Sequence, residues 1–350
     1  MTSRRTWLPP RIVRRLVLAP LMAVAAMALL VALPMWILAT AFASRFVPGR
    51  WRALRVAWFL FVYLWWEVVV LVVLFAYWVA SGFGRRIRTE RWQARHFALA
   101  GWWLDRVIGS ARRRFHVTIT REGDAVDTSR PLLVFSRHAG PGDSFLLIDA
   151  VLNRAKMRPR IVFKDTLQLD PCVDVILNRI PSRFVPSSGR AGQLVIDAIA
   201  ELARDMDRGD ALILFPEGGN FTPRRRARAI EKLSEIGRDD LAARAESMQH
   251  VLPPKPIGAL TAIDAAPGAD VVFVGHVGLD DLTTVKDIWR GIPLDASVEV
   301  RLWNVDSADV PDTEARESWL YERWQEIDDW IDAKSREHEL ASVHARGSSA

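Results

Sequence analysis

Residues 135–147 read Phe-Ser-Arg-His-Ala-Gly-Pro-Gly-Asp-Ser-Phe-Leu-Leu. The apolar run 132–135 has the length and composition of a buried strand, and residues 144–152 those of a helix. On a continuous helix five residues turn through about 500°, which would leave His138 and Asp143 about 140° apart. Gly140-Pro141-Gly142 forbids such a helix. The chain is therefore expected to turn sharply between the strand and a helix starting near Asp143, which lets the carboxylate reach back to the imidazole. A carboxylate on one imidazole nitrogen fixes the tautomer and frees the other nitrogen to take a proton from a hydroxyl. The same spacing also suits an aspartate that merely caps the helix.

Further apolar runs at 160–163, 211–215 and 271–274 read as strands, and 190–206 as a helix. Strands alternating with helices predict an α/β domain, a mostly parallel sheet with flanking helices. Residues 214–222, Leu-Phe-Pro-Glu-Gly-Gly-Asn-Phe-Thr, follow one of these strands. Open α/β sheets bind ligands beyond the carboxyl ends of their strands, and Gly218-Gly219 lets backbone N–H groups approach an anion. Arg224, Arg225 and Arg226 come next and could attract a phosphate or lipid headgroup. The plainer alternative is a polar loop ahead of a solvated basic helix.

The 350-residue chain is uneven: residues 16–44 hold no charge, and 56–84 hold only Glu67. Each run exceeds the ~20 residues that cross a bilayer, so a two-helix membrane hairpin is expected at about 16–44 and 56–84. A cleaved secretory signal is the alternative for the first run, but its apolar region would be only ~7–15 residues long. Arginines flank both runs, Arg4, Arg5, Arg11, Arg14 and Arg15 before the first and Arg85, Arg86, Arg88, Arg91 and Arg95 after the second. That placement directs the net charge of +6 to anionic lipid rather than nucleic acid and favours both ends in the cytoplasm, although Arg45, Arg50, Arg52 and Arg55 between the runs oppose it and leave a shallow hairpin that never crosses fully as the alternative. The expected location is the cell membrane, integral, with the soluble domain on the cytoplasmic side. Glu67 is expected at a helix–helix contact or an interfacial position.

Residues 87–108 mix arginine with Trp92, Phe97, Trp102 and Trp103, as in a helix lying at headgroup level or one packed on the next domain. Residues 313–339, with Leu320, Trp324, Ile327 and Ile331 at helical spacing, predict an amphipathic helix packed on the domain, followed by a disordered tail. The resulting division is 1–110 for the hairpin and interfacial segment, 111–310 for the catalytic domain and 311–350 for the C-terminal helix and tail. Cys172 is the single cysteine, which excludes an intrachain disulfide, and no cluster of metal ligands is visible. His276, at a strand end, is expected to be a satisfied structural histidine.

An apolar hairpin, a strand followed by His-Ala-Gly-Pro-Gly-Asp, and later a strand followed by Phe-Pro-Glu-Gly together resemble the glycerolipid acyltransferase family, of the 1-acylglycerol-3-phosphate acyltransferase type. The resemblance covers residues 132–277. His138 and Asp143 fall on the family's H-x4-D motif and residues 215–218 on its F-P-E-G motif. Residues 217–222 and 251–256 (Val-Leu-Pro-Pro-Lys-Pro) are similar to the E-G-T-R-F-T and L-P-R-T-K segments of a branch acting on lysophosphatidate, lysocardiolipin and lysophosphatidylinositol.

Two departures stand out. Gly219-Asn220 replaces the usual Thr-Arg, which shifts the expected phosphate contact to residues 224–226. The G-x-I-F-I-x-R motif has its best match at residues 181–187, Pro-Ser-Arg-Phe-Val-Pro-Ser, so Arg183 is the expected substitute cation, with Arg179 and Arg190 as neighbours. The resemblance implies acyl transfer from acyl-CoA or acyl carrier protein to the hydroxyl of lysophosphatidic acid within a membrane, with His138 as base and Asp143 orienting it. Glu217, Gly218, Gly219, Arg183, Arg224 and Arg225 would shape the acceptor site, and neither cofactor nor metal is implied. Other acceptors (lysocardiolipin, lysophosphatidylinositol, a glycolipid), an inactive lipid-binding protein and a hydrolase remain alternatives. No G-x-S-x-G elbow supports an acyl-enzyme.

Overall fold

The computed structural model describes residues 8–140, 142–186, 192–280 and 285–347, apart from the side chains of residues 285, 339 and 341–347. The helices in chain order are α1 (Arg11–Val31), α2 (Leu33–Ala43), α3 (Arg52–Ala80), α4 (Glu90–Phe115), α5 (Asp143–Asp149), α6 (Pro171–Leu177), α7 (Gly192–Ala203), α8 (Pro223–Glu235), α9 (Asp239–Ser247), α10 (Pro256–Ala265), α11 (Val285–Gly291) and α12 (Arg316–Gly347). The strands are β1 (Val117–Gly123), β2 (Leu132–Ser136), β3 (Arg158–Lys164), β4 (Ser182–Val185), β5 (Asp210–Leu214), β6 (Asp270–Val277) and β7 (Ala296–Val305). They make two compact units: residues 1–117, 145–202 and 289–295, and residues 118–144, 203–288 and 296–350.

In the first unit the apolar run expected as one helix is two, α1 and α2, with Ala32 between them. Pro34 explains the break, because it has no N–H to donate and its ring clashes with the carbonyl four residues back. The basic flanks belong to the helices: Arg11, Arg14 and Arg15 lie in α1, and Arg52 and Arg55 in α3. Arg14 and Arg15 reach Asp174 of α6 at 2.8 and 2.6 Å, which pins the start of α1. α1 and α3 are both long and apolar enough to cross a membrane, and only 11% and 22% of their most apolar windows are buried. Ile12, Leu16, Leu21 and Val24 of α1 and Val72 and Phe75 of α3 are exposed, as apolar surface facing lipid would be.

Glu67 is fully buried beside Cys172, whose thiol donates to the Glu67 carbonyl where α3 packs on α6. α4 also packs on α3, and of the aromatics expected at headgroup level Trp92, Phe97 and Trp103 are buried while Trp102 is partly exposed against Trp66. The core joins Val70, Leu74, Phe97, Trp103, Cys172 and Ile176. An apolar cavity of about 70 Å³ is lined by Phe97, Trp103, Leu104, Phe163, Val173 and Leu177. β3 and β4 run parallel, with Phe163 opposite Phe184.

The second unit orders its strands β1-β7-β6-β2-β5. β2 is parallel to both neighbours, Val134 lying opposite Ile213 of β5 and Val272 of β6, while β7 is antiparallel to β6. β2, β5 and β6 are buried along their whole length, which is why they read as unbroken apolar runs instead of alternating ones. α12 packs on β6, with Leu320, Trp324, Ile327 and Ile331 fully buried and Trp324 edge-on to Phe273. The helix continues to Gly347, and residues 348–350 of the tail lie outside the described residues.

Candidate active site

The strand, turn and helix expected around residue 138 are present, with His138 and Asp143 both in the second unit and Pro141 outside the described residues. Asp143 opens α5 and turns back on the loop, where its Oδ2 accepts from the N–H groups of Ala139 and Gly140 at 2.7 and 3.0 Å. Both carboxylate oxygens reach His138 Nδ1, at 2.9 and 3.0 Å. Nδ1 faces an acceptor and so carries the ring proton, which leaves Nε2 with its lone pair and no hydrogen-bond partner among the described residues. Burial pushes the Asp143 carboxyl up, but the His138 hydrogen bond, the nearby His276 imidazole and the charges of both rings outweigh it and hold the group well below the usual carboxylate range. The imidazole lies against the Phe215 ring, with centroids 4.6 Å apart.

Residues 215–218 form the turn after β5. Glu217 is buried, and its oxygens accept from the backbone N–H groups of His138 at 3.1 Å and Leu252 at 3.3 Å. Its role is thus to tie the turn of residue 138, the turn of residue 217 and the Leu252 loop into one piece. Burial, only partly offset by the Arg137 charge, raises its pKa to about 8. Phe221 N–H donates to the His138 carbonyl at 2.7 Å and Lys255 N–H to the Pro216 carbonyl at 2.9 Å. Gly218 has φ +69°, and a Cβ there would sit 2.6 Å from Lys255 Nζ. The backbone is therefore left-handed and closely approached, two reasons for glycine.

The three arginines after the turn differ in use. Thr222 caps α8 through Arg225 N–H, and Arg225 folds back over the turn to donate to the Asn220 carbonyl at 2.9 Å, near Gly219. Arg226 binds the Met248, Glu246 and Ala245 carbonyls at the end of α9, so its role is structural. Arg224 is exposed on the first turn of α8. Arg183 belongs to the first unit, on β4, where its guanidinium is paired with Glu201 of α7. Arg179, also in that unit, donates to the Leu74 carbonyl at 2.9 Å, and Arg190 lies outside the described residues.

Sequence reasoning gave none of the following four residues a part in the site. Lys255 sits beside Gly218, and burial together with Lys232 and Arg225 lowers its pKa; its signal was a single cation in a proline-rich apolar segment. Arg137 is fully buried and donates to the His276 and His250 carbonyls and to Asp280. Asp328 of α12 accepts from the N–H groups of Gln249, His250 and Val251 and so holds the loop that leads to Leu252. His276 is not the satisfied structural histidine expected: it is buried, and neither ring nitrogen has a hydrogen-bond partner among the described residues.

Residues 117–253 match the family model described as Acyltransferase. This segment is an acyltransferase domain. The H-x4-D motif at His138 and Asp143 and the F-P-E-G motif at residues 215–218 both lie inside the matched span. The chain is also similar to the crystal structure of the 1-acyl-sn-glycerophosphate (LPA) acyltransferase PlsC from Thermotoga maritima, at 14% identity and a TM-score of 0.42, over 94% of this chain and 98% of that one. No curated protein matches it. In the acyltransferase domain a held imidazole with one free nitrogen lies against the turn that carries Gly218 and Gly219, an arrangement suited to taking a proton from a hydroxyl.

Proposed function

We propose that the protein transfers a fatty acyl group from acyl-CoA or acyl carrier protein to the free hydroxyl of lysophosphatidic acid, giving phosphatidic acid for phospholipid biosynthesis. The observation that carries this reading is the His138–Asp143 pair with Nε2 unpartnered. His138 Nε2 takes the hydroxyl proton as the acceptor oxygen attacks the thioester carbonyl, and Asp143 stabilises the imidazolium. Collapse of the tetrahedral intermediate releases the thiolate, which takes the proton back. Each bond made and broken is accounted for without an acyl-enzyme, metal or prosthetic group.

Arg224, Arg225 and Lys255, with the N-terminus of α8, supply the positive field for the acceptor phosphate. Gly218 and Gly219 keep the turn low enough for the headgroup to approach. The exposed apolar faces of α1 and α3 hold the protein in the membrane where acceptor and product reside, with the domain on the cytoplasmic side. Gly219-Asn220 in place of Thr-Arg favours keeping lysocardiolipin, lysophosphatidylinositol and acylated glycolipid as competing acceptors.

Membranes carrying wild-type protein, incubated with labelled acyl-CoA and a panel of lysophospholipids, should acylate lysophosphatidic acid, and His138→Ala should lose at least about 100-fold in rate. Acylation of no acceptor, or full activity in His138→Ala, overturns the reading; release of free fatty acid alone would make the protein a hydrolase. Arg225→Ala and Lys255→Ala should each raise KM for the acceptor about tenfold with kcat little changed, the pattern of lost uniform binding.

A further inference from the structure

His276 stands on the strand next to the one that delivers His138. β2 and β6 are parallel, with Ser136 opposite Val274, and Arg137 N–H continues the ladder to the Val274 carbonyl at 3.1 Å. The register carried two residues further sets His138 abreast of His276. Residues abreast on parallel strands point their side chains to the same face. Between the two imidazoles lies Asp143: His138 Nδ1 is 2.9 Å from Oδ1, and His276 Nε2 is 3.6 Å from Oδ2.

The position of His276 is tightly fixed. A Cβ on Gly275 would meet Trp303 at 3.1 Å and Ile327 at 3.2 Å, so the residue before His276 is closely packed by β7 and α12. Arg137 Nη1 donates to the His276 carbonyl at 2.6 Å and is itself held by Asp280. The ionisable groups around the ring are Asp143 from α5, Arg137 from the end of β2 and Asp280 beyond β6. β7 presents Val300 opposite His276, and α12 presents Ile327 beside Gly275, both apolar. A buried imidazole with two unpaired nitrogens is costly to keep. The Asp143 carboxylate, 3.6 Å from Nε2, is placed to offset that cost.

We propose that His276 is a positioning residue of this site, its Nε2–H steadying Oδ2 of Asp143 so that the carboxylate is gripped between two imidazoles and keeps its plane toward His138 Nδ1. The proposal rests on the reading of His138 as the base. Apo separations of this size close to hydrogen bonds when a reacting complex forms. His276 touches no substrate, so its loss acts on turnover. It also draws part of the Asp143 charge away from His138, so without it the His138 imidazolium is better stabilised.

The test compares His276→Leu, which keeps the bulk and removes the donor, with His276→Gln, whose Nε2 amide can stand where the ring Nε2 stands. Rates are measured across about pH 5 to about pH 9 with labelled acyl-CoA and whichever acceptor the wild type uses. His276→Leu should lose about ten- to a hundredfold in kcat at unchanged KM, the range seen when an outer orienting partner is removed, and the acid limb of kcat/KM should move to higher pH. His276→Gln should recover most of both. A His276→Leu enzyme with wild-type kcat and acid limb overturns the proposal, as does a His276→Gln enzyme no better than it. Should His276→Leu fail to fold, His276→Asn takes its place, since its shorter amide cannot reach Oδ2. His138→Ala run alongside separates the two failures: activity surviving there removes the base itself, whatever His276 does.

Discussion

Replacing Asp143 by asparagine changes one atom of the site and reverses a hydrogen bond. Oδ2 accepts from Ala139 and Gly140 N–H at 2.7 and 3.0 Å, so the amide oxygen of the new residue must take that place. The NH2 group is left in the place of Oδ1, 2.9 Å from Nδ1 of His138. An amide there donates, Nδ1 is forced to accept, and the ring proton moves to Nε2, the atom that has to receive the proton of the acceptor. In a catalytic triad the equivalent change costs on the order of 10⁴ in kcat, about 5.5 kcal/mol of barrier at about 1.4 kcal/mol per tenfold. Because both backbone N–H groups keep their acceptor, unfolding should shift by less than the about 1–3 kcal/mol of a single orphaned donor. Asp143→Ala orphans both and should be visibly less stable. The assay is the initial rate of labelled acyl transfer per amount of membrane-bound protein, read beside thermal unfolding in detergent. A rate for Asp143→Asn within tenfold of wild type refutes the tautomer argument.

Two further outcomes test the scaffold. Glu217, with a folded pKa of about 8 against an ordinary 4.5, keeps a proton that the unfolded chain gives up. Its contribution to stability is therefore full below about pH 4.5 and is lost as pH rises through about 8, up to about 5 kcal/mol over the whole range. Glu217→Gln should flatten that part of the profile in chemical denaturation between about pH 5 and about pH 9, and an unchanged slope would show that the carboxyl is not held in a dry site. Asp328→Ala removes the acceptor of the Gln249, His250 and Val251 N–H groups and should cost about 3 kcal/mol or more; a melting temperature equal to wild type argues that the loop finds other acceptors.

The sequence made the parallel strands and both turns legible for a local reason: buried strands are continuous apolar runs, and the glycines that bend the turns lie between the residues that do the chemistry. The break at Pro34 was equally local, yet an uncharged run masks it, since hydropathy does not register a missing N–H. Arg224, Arg225 and Arg226 are indistinguishable in sequence. Successive helical residues turn by about 100°, which sends one arginine over the glycine turn and another to the end of α9. His276 and Lys255 meet the site through strand register and loop docking, so a short window of sequence can pick out Lys255 as a lone cation among prolines but cannot place either residue at the site. Arg183 looked like a free cation because its partner Glu201 lies on another element.

Asp328 also bears on when the protein becomes able to work. Synthesis runs from the N-terminus, so His138, Glu217 and Leu252 leave the ribosome before the carboxylate that seats residues 249–251 has been made. The nascent chain can lay down β2, β5 and β6 side by side, but the loop that closes over Glu217 has no anchor until α12 docks. Assembly of the site therefore waits on α12, and a chain interrupted before that helix has its motifs complete and its loop unseated.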